Sequence, residues 1–234
     1  MESNNPVIEI RNLVKTFPMG NREFTALNGI NLGILKGEFS GLVGPSGSGK
    51  TTLLNIIGTL DSPTEGEAIV MGQSVGLLSQ KGAARLRNLK IGFIFQTFNL
   101  LPVYSAAENV EFPLLLQKMS AEQRKKKVVD ALDWVGLTDK AKSRPAQMSG
   151  GECQRVAIAR AIVKNPEIVL ADEPTANLDA ENSHRILQTM EKLNRELGTT
   201  FLFATHDEKV IGYLHRIIKL TDGKVASDQI VPEK

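Results

Sequence analysis

Apolar and polar positions follow two different rhythms along this chain. Runs rich in β-branched and aliphatic residues, Val7 to Phe17, Thr25 to Leu35 and Phe39 to Val43, predict three strands near the start. The third run stops at Gly44. After a glycine-rich turn, Leu53, Leu54, Ile56, Ile57 and Leu60 have the spacing of a buried helix that begins at Lys50. Asp61 to Gly66 breaks that helix, and Ala68 to Met71 and Ile91 to Phe95 read as further strands. From about residue 104 to 164 the period changes and predicts almost continuous helix. Ser120 with Gln123, and Ser149 with Glu152, have the spacing of capping boxes, while Gly136 and Asn165-Pro166 close the helices that follow them. Strand and helix then alternate again: strand Ile168 to Ala171, helix Ala180 to Leu197, strand Thr200 to Ala204. Ile217 to Leu220 and Lys224 to Ala226 flank an Asp222-Gly223 turn.

Alternation at both ends implies an α/β fold with a mostly parallel sheet covered by helices, and the helical middle implies a subdomain set into it. A chain of 234 residues, 41% hydrophobic and 23% charged, suffices for one such domain with a sizeable core. A net charge of +2 does not argue for a polyanionic partner. The one basic cluster, Arg124 to Lys127, falls in a helical stretch and reads as a solvated face, so no nucleic-acid partner is expected. A single cysteine, Cys153, excludes an internal disulfide and suits a reducing compartment. Met1 to Pro6 lacks the basic start and apolar run of a leader, and no run approaches the roughly 18 apolar residues that span a bilayer. The expectation is a cytoplasmic protein that reaches a membrane only by docking.

Chemistry enters with Gly44-Pro45-Ser46-Gly47-Ser48-Gly49-Lys50-Thr51, which matches G-x-x-x-x-G-K-[ST] between a predicted strand and a predicted helix. Small residues let successive backbone N–H groups face phosphate oxygens, and the helix N-terminus adds the positive end of its dipole. Lys50 supplies a cation for the β- and γ-phosphates, and the Thr51 hydroxyl is placed to ligate Mg²⁺. A second feature is the apolar strand that ends in Asp172-Glu173. Ligands of open α/β sheets sit beyond the carboxyl ends of the strands, where both acids emerge. Asp172 offers the hard oxygens that Mg²⁺ prefers, and Glu173 can take a proton from an attacking water.

Ser149-Gly150-Gly151-Glu152, followed by Gln154-Arg155-Val156-Ala157-Ile158-Ala159-Arg160-Ala161, resembles the signature motif of ABC ATPases. With the phosphate loop and the Asp-Glu strand end, the resemblance covers nearly the whole chain. It implies a P-loop NTPase (RecA-like) core of residues 1–95 and 165–234 that includes an N-terminal antiparallel β subdomain, and a helical signature subdomain of residues 96–164. A homodimer forming upon ATP binding is also implied, with each nucleotide between the phosphate loop of one subunit and Ser149, Gly150, Gly151 and Glu152 of the other. Ser149 caps a helix whose free N–H groups, with Gly150 and Gly151, form an anion site able to meet a γ-phosphate; the same four residues also read as a plain capping box in a structural helix.

Further positions match the family one by one. Gln96 resembles the glutamine that senses Mg²⁺ and the attacking water and faces the membrane partner. Asp179, in Asn177-Leu178-Asp179, resembles the loop that crosses the dimer interface and is also placed to cap the next helix. His206 resembles the histidine on the γ-phosphate, and Phe17 the aromatic ring that stacks on adenine. The nucleotide set extends from Gly44 to Thr52 on this reading. Met148 stands where leucine is usual, Glu152 where glutamine is commonest, and Ala176 where glycine is usual.

Phe95 to Pro102, Glu108 to Leu114 and Ala171 to Asp179 are similar to the branch holding the lipoprotein-releasing (LolD-like) ATPase and the macrolide and peptide exporter (MacB-like) ATPases. That resemblance implies a separate four-span permease, the chain sitting at the cytoplasmic face of the membrane and pressing on its partner through residues 97 to 116. Two other classes share the phosphate loop. A soluble or division-associated ABC ATPase would move no cargo. A small-molecule kinase would use the same loop but carry an acceptor lid in place of Ser149 to Glu152.

Overall fold

The computed structural model describes residues 6–20 and 22–232. Met1 to Asn5, most of the stretch read as lacking a leader, lie outside the described residues. Two sheets form the frame. In the first, β1 (Ile8–Met19), β2 (Arg22–Ile34), β4 (Glu65–Val70) and β5 (Gln73–Ser74) pair antiparallel in the order β2-β1-β4-β5. The second contains β3 (Phe39–Val43), β6 (Ile91–Ile94), β7 (Ile168–Asp172), β8 (Thr200–Thr205), β9 (Arg216–Thr221) and β10 (Lys224–Ile230), in the order β10-β9-β3-β8-β7-β6. Its first strand is antiparallel to β9; the other five run parallel.

Strands β3, β6, β7 and β8 are buried on both faces, and alternate side chains feed two cores. Phe201, Phe203, Val169 and Ala171 face one core, which they share with α3 (Ala106–Glu111), α4 (Ala121–Trp134), α5 (Gly150–Ile162) and α6 (Ala180–Leu197). Leu202, Ala204, Ile168 and Leu170 face the other, where α1 (Lys50–Ile57) packs beneath the antiparallel sheet. Phe39, Phe201 and Phe203 are fully buried rings in mutual contact, each contributing roughly 2–3 kcal/mol by burial.

The predicted strands appear with ends shifted by up to a few residues, and α6 has the predicted bounds. Both predicted capping boxes form: Ser120 accepts from Gln123 N–H and Ser149 from Glu152 N–H, with the reciprocal bonds present. Three differences have local causes. The helix from Lys50 ends at Ile57 rather than Leu60, because Thr59 is left-handed and Arg87 Nη1 takes its carbonyl at 2.6 Å. The segment from 104 to 164 is three α-helices joined by loops and single 3-10 turns, with the α-helical run interrupted near Pro113, Gly136 and Pro145. Helix α2 (Gln80–Lys90) gave no periodic signal, since Leu86 is its single buried residue; Ser79 starts it by accepting from Gly82 N–H.

Candidate functional site

Because β3, β6, β7 and β8 are parallel and in register, their carboxyl ends share one edge of the sheet. Val43 leads there into the glycine-rich loop, Ile94 toward Gln96, Asp172 into Glu173 and Thr205 into His206. These segments line a cleft of about 400 Å³ with Phe24, Ala26, Ser46, Gly47, Gly49, Lys50, Thr51, Thr52, Gln96, Asp172, Glu173 and His206 around it. Sequence-predicted residues far apart in the chain are thus brought together.

The loop is built around Lys50, which is buried and donates to the carbonyls of Gly44 at 2.7 Å and Pro45 at 2.9 Å. Gly49 precedes α1 at φ +99°, and a Cβ there would come within 2.7 Å of the Ala26 carbonyl oxygen. Only glycine satisfies both demands. Ser48 Oγ is buried without a hydrogen-bond partner among the described residues. Loop N–H groups, a buried ammonium and an orphaned hydroxyl make a cradle for an oxyanion.

Thr51 Oγ1 donates to Asp172, 3.1 Å from Oδ2 and 3.2 Å from Oδ1. Burial raises the Asp172 pKa, with the neighbouring Glu173 charge adding to it and the Thr51 bond and the Lys50 charge opposing it. A divalent cation would relieve that cost. Among the described residues no three His, Cys, Asp or Glu side chains gather into a metal cage. Mg²⁺ needs none, since it commonly takes one or two protein oxygens and completes its shell with phosphate and water. The hydroxyl and carboxylate present fit that habit.

Glu173 follows the strand with a left-handed backbone, φ 45°, and donates its N–H to Ala204 O at 2.9 Å. Its carboxylate is held from two sides: His206 Nδ1 lies 2.6 Å from Oε1, and Thr205 Oγ1 donates to Oε2 at 3.0 Å. An ionised carboxylate only accepts, so Nδ1 is the donor. The sequence offers one signal for Thr205, its place immediately before His206.

Phe17 is not among the residues around the cleft, whereas Phe24 is. The two are directly paired across the β1–β2 ladder and so project from the same face. Lys15 Nζ covers the Phe17 ring at 4.9 Å from its centroid. Ser149, Gly150, Gly151, Glu152 and Asp179 also lie outside the cleft of their own chain. Ser149 and Gly150 are exposed at the start of α5, while Gly151 packs so closely on α6 that a Cβ would sit 2.6 Å from Asn182 Oδ1. Backbone bonding to Ser149 lowers the Glu152 pKa, and Lys140 pairs with it at 3.3 Å. Asp179 caps α6 by accepting from Asn182 N–H at 2.8 Å.

The ABC transporter family profile matches residues 27–176. The chain belongs to the ABC transporter family. It is 46% identical over 227 residues to an uncharacterized ABC transporter ATP-binding protein of Methanocaldococcus jannaschii, covering 95% of this chain and 97% of that one. It is 45% identical over 222 residues to the lipoprotein-releasing system ATP-binding protein LolD of Pseudoalteromonas translucida, covering 95% of this chain and 96% of that one. The macrolide export ATP-binding/permease protein MacB of Hyphomonas neptunium is 43% identical over 223 residues, and there the match spans 34% of a longer protein. Among solved structures, an ATP-binding cassette in a dimeric post-hydrolysis state bound to ADP and Pi superimposes with a TM-score of 0.89 at 44% identity, over 97% of this ABC chain and 100% of that one.

Proposed function

We propose that this ABC protein is the ATP-hydrolysing subunit of a transporter and that it drives a separate membrane permease. The observation carrying the reading is the meeting of the Gly44–Thr51 loop, the Thr51–Asp172 pair and the Glu173–His206 pair in one cleft. In this assignment the loop and Lys50 hold the β- and γ-phosphates of ATP, and Thr51 and Asp172, with Gln96, hold Mg²⁺. The metal, when bound, neutralises charge that develops on the phosphate oxygens. Glu173 accepts hydrogen-bonded water and takes its proton as the water oxygen bonds to the γ-phosphorus and the bond to ADP breaks, releasing phosphate. His206 and Thr205 hold the Glu173 carboxylate in position.

Ser149, Gly150, Gly151, Glu152 and Asp179 serve the nucleotide of a second copy in an ATP-bound homodimer. Their position outside their own cleft, with Ser149 and Gly150 exposed, supports that arrangement. Residues 1–95 and 165–234 act as the nucleotide-binding body and residues 96–164 as the helical arm. Val103, Tyr104, Phe112, Leu115 and Leu116 expose apolar surface in the stretch assigned to the permease contact. Among the described residues no helix is long and apolar enough to cross a membrane. The chain is placed peripherally, on the cytoplasmic face, and the branch points to lipoprotein release or export of drugs or peptides.

Phosphate release by the full chain with ATP and Mg²⁺, compared with Glu173→Gln, tests the assignment. The variant is expected to bind ATP, turn over at least about a hundredfold more slowly and run as a dimer on a sizing column. Full turnover, or a persistent monomer in ATP and Mg²⁺, overturns it. Isolation of the trapped variant from gently solubilised membranes then tests the branch, through the permease that accompanies it.

A further inference from the structure

Arg160 lies in the last turn of α5, the helix that Ser149 caps and Gly150 opens. Its guanidinium bridges two successive carbonyls of the loop after Gln96: Nη1 donates to Asn99 O at 2.5 Å and Nη2 to Phe98 O at 2.6 Å. Among the described residues no carboxylate stands within ion-pair distance of it, although burial lowers its pKa. The cation is committed to neutral backbone oxygens.

Those oxygens belong to an unusual turn. Phe98 and Asn99 are consecutive non-glycine residues with left-handed backbones, φ 60° and 49°. Single residues adopt that conformation at a cost, and two in succession persist only where their surroundings over-determine them. Thr97 Oγ1 donates to Asn99 Oδ1 at 2.9 Å, and Asn177 Nδ2 holds the Gln96 carbonyl at 2.8 Å. The base of Arg160 is closely packed, because α5 presses on β6 next to it: a Cβ on Gly92 would lie 2.7 Å from the Ala161 carbonyl oxygen. Gln96 leaves that same strand.

We propose that Arg160 is a positioning residue for hydrolysis, its planar fork locking the left-handed Phe98–Asn99 turn so that Gln96 is held at the mouth of the phosphate cleft. Lysine replaces it poorly, since its one tetrahedral nitrogen on a shorter stem does not reproduce the planar fork of two nitrogens, each donating to its own carbonyl. The role rests on the ATPase reading given above. It also makes α5 a rigid link between the exposed Ser149–Gly150 end, assigned to the partner's nucleotide, and the Gln96 loop of its own subunit.

The full chain is compared as wild type, Arg160→Lys, Asn99→Ala and the double variant. Asn99→Ala attacks the same turn from its other side, by placing a residue poorly suited to φ 49° and removing the bond from Thr97. Each single variant is expected to lower kcat about tenfold while leaving KM for ATP within about twofold. In nucleotide-free protein, amide hydrogen exchange is expected to speed about tenfold at residues 97–101 and nowhere else. The double variant should lose no more than the worse single, because one turn is broken twice; independent roles would multiply to about a hundredfold.

Unchanged exchange and unchanged kcat in Arg160→Lys overturn the proposal, as does faster exchange throughout the chain with loss of ATP binding. If Arg160→Lys does not fold, Asn99→Ala alone must give both the local exchange and the kcat effect, and its failure to do so is equally decisive. A wild-type chain that releases no phosphate refutes the ATPase reading instead, and the exchange measurement still decides the latch.

Discussion

His206 Nδ1 sits 2.6 Å from Glu173 Oε1, joining the residue after β8 to the residue after β7 across 33 positions of sequence. Thr205 Oγ1 secures the other oxygen of the same carboxylate and also accepts from Asp207 N–H at 3.0 Å. Glu173 therefore has little rotational freedom. His206→Ala is expected to lower kcat about a hundredfold with little change in KM for ATP, as for loss of a group that orients a general base. Thr205→Val, close in shape, should give the same kinetic pattern more weakly. Steady-state kinetics of phosphate release check both, and a rise in KM at constant kcat would place His206 in ground-state binding instead.

The aromatic wall at the β1–β2 hairpin gives a second expectation. Phe17 and Phe24 are direct cross-strand partners, and Phe24 borders the cleft. Replacing either with alanine should weaken ATP binding about tenfold, the scale of one lost aromatic contact, and leave kcat at saturation unchanged. Equilibrium titration of a fluorescent ATP analogue separates the two contributions. Weakening by Phe17→Ala alone would show that the base stacks on the Phe17 ring and not on Phe24.

Lys164 supplies a pH dependence. It follows α5, donates to Arg87 O at 2.7 Å, and burial pushes its pKa down from 10.5 to about 8. Because the folded value is depressed, the unfolded chain holds more protons between about pH 8 and 10.5, and the Lys164 contribution to stability rises across that window. Below pH 8 the full cost of burying the charge is present. Lys164→Met lacks this term, so its stability relative to wild type should decline as pH rises from 8 to 10.5. Paired urea melts at pH 7.5 and 10 measure the change; a constant difference would mean that Lys164 titrates as an exposed lysine.

The signals that could be read directly from the chain are those closed by a few consecutive residues. The Gly44–Thr51 loop, the capping boxes at Ser120 and Ser149 and the Asp172-Glu173 strand end were all legible, since each depends on local backbone geometry and short hydrogen bonds. The central parallel strands were equally clear, because burial on both faces leaves continuous apolar runs, whereas the two-residue β5 leaves none. Helix α2 was not, as one buried leucine creates no period. The helical middle holds less α-helix than its spacing predicts for a related reason: apolar spacing persists through turns, whereas Pro113, Gly136 and Pro145 interrupt the α-helical backbone.

Sequence thus established the α/β class, the phosphate loop, the paired acids and the family. Tertiary structure decided which of these residues meet. Thr51 reaches Asp172, His206 reaches Glu173, and Arg160 reaches the carbonyls of Phe98 and Asn99 because strand order and helix packing put them there. Phe24 reaches the cleft for the same kind of reason, through its register opposite Phe17. Contacts between distant segments depend on register, on the parallel edge where strands end together and on left-handed turns held by remote donors. No spacing within a single segment encodes those relations, because the free energy that sets them comes from packing the two cores as a whole.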